Sequence, residues 1–263
     1  PLGIALAGFA GPWLYTWLGW HMALWVAAGL CTLVALVLQP TVKIFDQIGL
    51  PVTSPQFSTL FAPLVNVLTE TSLRRLAGVS LIYALVQVSV ITFLVAHLHL
   101  SFGLSLPLAA GTLAAAQFTS VIARPFWGWC ADWTGRPAAL LGLIGLGSAA
   151  SCIALAVLPT DAPIAALVVA SLACAATAIG WNGVFYAELI NRAGPGQLAT
   201  VTGGVQFLTF MGAMLGPVLF AMVVTLTDSY SAGMFGLAIL VGGAASWLLI
   251  SLRLDQAVRV GSS

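Results

Sequence analysis

The chain has 263 residues, of which 6% are charged and 60% are apolar, with a net charge of +1. A soluble domain carries about 25% charged residues, so water cannot be the solvent for most of this surface. Eight basic residues spread over the whole chain do not form the clustered Lys and Arg patch that a nucleic-acid partner requires.

Apolar stretches long enough to approach the ~20 residues of a membrane crossing predict eight spans. They cover approximately 2–18, 22–38, 76–98, 104–126, 138–158, 162–189, 201–226 and 231–252. The fold class is therefore all-α: a polytopic membrane protein whose short turns make consecutive helices antiparallel neighbours. The chain opens inside an apolar run at Pro1-Leu2, without the pattern of a cleaved leader. That opening predicts further sequence before Pro1.

Residues 39–75 carry Pro40, Pro51, Pro55 and Pro63 together with Lys43, Asp46 and Glu70. They separate two spans (1–38) from six (76–252), and residues 253–263 form a tail. Within the connection, Phe57, Leu60, Phe61, Leu64 and Leu68 recur at helical spacing, which predicts a short helix at the membrane interface. Lys43, Arg74, Arg75, Arg124, Arg136, Arg192, Arg253 and Arg259 all fall on one side of this topology. The positive-inside rule makes that side cytoplasmic, with the long loop and the C-terminus on it.

The connection after the fourth span reads Arg124-Pro125-Phe126-Trp127-Gly128-Trp129-Cys130-Ala131-Asp132-Trp133-Thr134-Gly135-Arg136-Pro137. Gly128 predicts close approach of two helices, Gly135 a tight turn, and Asp132 an acceptor for helix amides or an Arg. The pattern G-x-x-x-D-x-x-G-R resembles the cytoplasmic signature loop of the major facilitator superfamily. Gly8-Phe9-Ala10-Gly11-Pro12 is similar to that family's kinked fifth helix, and Gly216-Pro217 repeats the theme in the seventh span. The resemblance implies a bacterial-type fragment matching helices five to twelve of a twelve-helix, two-bundle transporter, which works by alternating access from the inner membrane.

Glu188 and Arg192 stand at i and i+4 and resemble the family's E-x-x-x-R element. With Asp132 and Arg136 they predict a cytoplasmic latch, made on closing and broken on opening. Polar residues inside spans should face protein or water. Tyr83, Gln87, Gln117, Trp181, Asn182 and Gln206 are accordingly the candidate cavity lining, with helix-to-helix hydrogen bonding as the alternative role. Gly142, Gly145, Gly147, Gly233, Gly236, Gly242 and Gly243 read as close-packing positions. The four cysteines have no C-x-x-C pair and read as packing residues.

No acid, Lys or Arg falls near the middle of a predicted span, so a proton-coupling acid or an anchor for a substrate anion is expected only in helices outside this chain. The amide, aromatic and hydroxyl lining leans toward neutral solutes. No metal or cofactor site is signalled. The expected function is secondary transport of a small organic solute across the lipid bilayer. A receptor or assembly subunit on the same fold, or an intramembrane enzyme, are the alternatives; the enzyme would need a nucleophile and base on facing helices.

Overall fold

The computed structural model describes residues 2–46, 61–194 and 196–261. Among these, every regular element is helical: α1 (Leu2–Asp46), α2 (Ala62–Thr69), α3 (Thr71–Phe102), α4 (Leu106–Thr134), α5 (Pro137–Val157), α6 (Ile164–Cys174), α7 (Asn182–Arg192), α8 (Leu198–Thr227) and α9 (Tyr230–Gly261). A π-helical turn, Ala175–Ile179, joins α6 to α7.

Seven crossings, not eight, meet the length and apolarity of a membrane span among the described residues. The difference lies in α1. α1 comprises two helical stretches that meet at a kink at Gly19 (φ 76°, ψ 169°), beside the turn predicted between the first two spans, and among the described residues only Thr16–Pro40 of it meets the length and apolarity of a crossing. That φ/ψ combination is open only to glycine. At Gly11-Pro12 the backbone remains helical.

The chain divides into two compact units, residues 2–60 and the six-crossing unit from Phe61 onward. Within the interdomain connection, α2 supplies a short helix from Ala62. The earlier part of the predicted interfacial helix, Phe57 and Leu60, lies outside the described residues.

In the six-crossing unit α3 is the central element. Leu76, Val79, Tyr83, Val86, Val90, Leu94 and Leu98 are all buried, and their spacing of three or four residues forms one continuous stripe. The principal partners are α8 for α3 and α9 for α5, while α4 packs on the π-turn and on α7. Lipid offers no hydrophobic drive for helices to associate, so close backbone approach and dispersion hold such pairs. A Cβ added at Gly212 would overlap the carbonyl of Leu81, and one at Gly216 that of Leu85. Pro217 sits inside α8 beside this contact.

Gly145 makes room for the Tyr83 ring, and Gly142 for Leu249. Gly233 faces Phe220, Gly147 faces Thr177 and Gly242 faces Ala149. Gly236 and Gly243 have nothing within 4 Å of an added Cβ, so they are not close-packing positions within this unit.

The fourth crossing corrects the sequence reading. The signature segment is not a loop, because α4 continues through Pro125 to Thr134 and ends only where Gly135 adopts φ 61° and returns its N–H to Ala131 O. Membrane helices tolerate an internal proline because neighbouring groups satisfy the freed backbone.

Candidate functional site

The crossing Ile164–Arg192 is interrupted at Ala175–Ile179, where five residues take π geometry before α7 begins at Asn182. A π-turn disturbs the regular i to i−4 ladder and leaves carbonyls in need of donors. Two are met from outside the crossing's own backbone ladder. Trp127 Nε1 on α4 donates to Ala176 O at 2.8 Å, and Asn182 Nδ2 donates to Ile179 O at 3.2 Å.

Asn182 Nδ2 also donates to Gln87 Oε1 at 3.1 Å, and Trp181 Nε1 donates to the same oxygen at 2.9 Å. Both lone-pair directions of Gln87 Oε1 are thereby used, as are both protons of the Asn182 amide. Gln87 lies halfway along the 32-residue α3, so this cluster sits at mid-membrane depth. Trp181 is buried, whereas Gln87 and Asn182 are half-buried and present polar surface. Tyr83 meets Trp181 edge-on with ring centroids 5.5 Å apart, and its hydroxyl donates to Leu141 O at 3.0 Å, tying α3 to α5. Four of the six candidate lining residues thus meet at one helix break.

The other two stand apart. Gln117 is 2% exposed on α4, with neither amide atom hydrogen-bonded. An orphaned buried polar atom costs about 1–3 kcal/mol. Gln206 is half-buried on α8 and takes no part in the cluster. Between α3 and α8 the hydrogen bond is made instead by Ser80 and Thr209, whose hydroxyls are 2.8 Å apart.

Sequence reading also missed Arg124. It assigned this residue to a loop flank, but α4 spans Leu106–Thr134 and its midpoint is near Ser120. Arg124 is therefore only about 6 Å from that midpoint at 1.5 Å per residue. The expectation that no basic residue lies near mid-span fails here. Insertion scales put a central arginine at roughly 2.5–3.5 kcal/mol. Its Nη2 reaches Ile179 O at 3.4 Å, its Nε is buried without a partner, and no carboxylate pairs with it among the described residues.

At the end of the bundle that carries the basic residues, Glu188 is buried and accepts from Arg192 Nε. Arg192 Nη1 donates onward to Ser72 O at 2.7 Å and to Ser72 Oγ at 3.2 Å, which fastens the end of α7 to the start of α3. Arg75 pairs with Asp255 at 2.9 Å, joining α3 to α9. These groups border a cavity of about 480 Å³ together with Thr71, Ser72 and Leu252. Asp132 and Arg136 are exposed and form no ion pair among the described residues, so the four charges do not join into one latch in this conformation. Gly128 has nothing within 4 Å of an added Cβ. The close approach of α4 and α7 is made at Gly183, where a Cβ would lie 3.2 Å from Arg124 O.

A family model described as Major Facilitator Superfamily matches residues 1–217. The chain belongs to the major facilitator superfamily. Members of this superfamily are transporters that move small solutes across a lipid bilayer, and the seven apolar crossings make the chain an integral membrane protein. The superfamily match extends from α1 to Pro217 in α8 and so includes the whole Gln87, Trp181 and Asn182 cluster. A search of curated proteins gave no match.

Proposed function

We propose that this superfamily member is a secondary transporter that moves a small organic solute by alternating access, and that Gln87, Trp181 and Asn182 form part of the solute contact. The observation that carries this reading is the convergence of three polar side chains on a helix break at mid-membrane depth. Irregular backbone at that depth is tolerated where protein buries it or where it lines a cavity. Tyr83 buttresses the wall formed by Trp181. Gln117 supplies an amide whose hydrogen bonds are unmet in this conformation, and a rearrangement of α4 would bring it a partner. Gln206 joins the lining from α8 in the same rearranged state.

The basic end faces the cytoplasm by the positive-inside rule. Glu188, Arg192 and Ser72 are the closed part of the gate, and Asp132 and Arg136, beside the Gly135 turn, complete it in the opposite state. The register is that of helices five to twelve, with α1 contributing to one bundle and α3 to α9 forming the other. Gly11-Pro12 and Gly216-Pro217 mark equivalent bending points in the two bundles.

The test is solute counterflow in proteoliposomes containing the protein expressed from its natural gene, run against a panel of small solutes. A supported reading gives counterflow of at least one solute that Gln87→Leu and Asn182→Leu abolish in variants that remain monodisperse. Unchanged counterflow in those variants would remove the cluster from the solute path.

A further inference from the structure

We infer that Arg124 is the anchor for a carboxylate, so that the transported solute is a small organic monoanion; this rests on the transport reading above. The argument starts from what Arg124 is not needed for. The carbonyl it touches, Ile179 O, already accepts from Asn182 Nδ2 at 3.2 Å, and the Arg124 contact at 3.4 Å is longer than an ordinary hydrogen bond. The other π-turn carbonyl with an outside donor, Ala176 O, is held by Trp127. A guanidinium is therefore surplus to the turn's hydrogen bonding.

Its charge is also uncompensated. No carboxylate lies within 4 Å of it among the described residues, and its Nε is buried without an acceptor. An ionisable side chain inside a membrane span faces a partner or a water-filled path and marks function by default. Guanidinium presents a planar fork of donors whose geometry matches a carboxylate. Asn182 and Tyr186, at i and i+4 on the adjacent α7, offer neutral polar groups beside it.

Depth decides between sources of the anion. Arg124 is about 6 Å from the middle of α4 on the helix rise of 1.5 Å per residue. A lipid headgroup lies at the edge of a hydrocarbon core ~30 Å thick, too far out to reach it. A solute in the central path is the remaining source. Since the other basic side chains whose placement is described lie towards the basic end of the unit, one positive charge is available at this depth, which suits a monoanion.

The experiment compares matched pairs of solutes, benzoate with benzamide and lactate with lactamide, on the detergent-purified protein and in proteoliposomes. Thermal melting reads binding and counterflow reads transport; sodium chloride at equal ionic strength is the comparison. The expected result is protection and counterflow by a carboxylate at least tenfold more effective than by its amide. Arg124→Gln should remove that preference, and Arg124→Lys should retain part of it. Equal effects of acid and amide, equal protection by chloride, or an unchanged preference in Arg124→Gln would overturn the assignment. Counterflow of the amides as fast as that of the acids in the wild-type protein would overturn the anion while leaving transport standing. Failure of every solute to bind or move in the monodisperse wild-type protein would bring down both. Should Arg124→Gln not fold, the acid against amide comparison on the wild-type protein decides alone.

Discussion

Replacing Gln87 by leucine removes the one acceptor shared by Trp181 Nε1 and Asn182 Nδ2. The two donors do not suffer equally. Asn182 keeps Ile179 O at 3.2 Å and is half-buried, so water can replace the lost bond. Trp181 is 1% exposed, and its indole N–H has no second acceptor. The cost is therefore set by one fully desolvated donor, about 1–3 kcal/mol. Interhelical hydrogen bonds measured in membranes average only about 0.6 kcal/mol and reach about 1.7 kcal/mol. Because no water reaches Trp181, the upper half of that smaller range applies to the coupling.

The assay is a double-mutant cycle of Gln87→Leu and Trp181→Phe, read by unfolding in mixed detergent micelles. Each single variant should be destabilised, and the double variant should be more stable than the sum of the two by about 1–2 kcal/mol. Additive losses within about 0.3 kcal/mol would refute the hydrogen bond as the element joining α3 to the break.

Two further outcomes follow from the packing and the charges. Gly212→Ala places a Cβ on the Leu81 carbonyl, so α8 must move off α3 at a cost of about 1–3 kcal/mol; Gly203→Ala, which meets nothing within 4 Å, is the control and should leave the melting temperature almost unchanged. Arg192→Ala leaves the buried Glu188 carboxylate without its partner, which costs about 3–5 kcal/mol. Adding Glu188→Gln should recover most of that loss in the same melting measurement.

Much of the architecture is written in residue spacing. Apolar run length located the spans from the third onward to within a few residues, because the lipid core imposes a minimum length that soluble helices do not share. The exceptions have identifiable causes. Gly19 kinks α1 beside the turn read between the first two spans, but among the described residues only Thr16–Pro40 of α1 is long and apolar enough to cross. The fourth apolar run gives out near Phe126, which put Arg124 at its end, whereas α4 runs on to Thr134.

Polarity against an apolar background picked out Gln87, Trp181 and Asn182, but not that they touch. Their pairing depends on the π-turn, which the sequence Ala175-Ala176-Thr177-Ala178-Ile179 does not announce. Cys152 and Cys174 lie 22 positions apart, yet their Sγ atoms come within 3.8 Å where α5 crosses α6. Contacts of that kind belong to the crossing geometry of two helices, and no local motif encodes them. Ser72 as the acceptor for Arg192 is another instance: an ordinary serine gains its role from the position of the α7 terminus.

The π-turn also sets an angular phase. Each residue added to or removed from an α-helix turns everything beyond it by about 100°, so the bulge fixes which way α7 faces relative to α6. Removing one residue between Ala175 and Ile179 would swing Trp181 and Asn182 off Gln87, and by the same rotation carry Arg192 away from Ser72. The middle of the membrane and its basic edge are thus geared together through a single backbone irregularity, and a change of winding at Ala175–Ile179 would be felt at both ends of α7 at once.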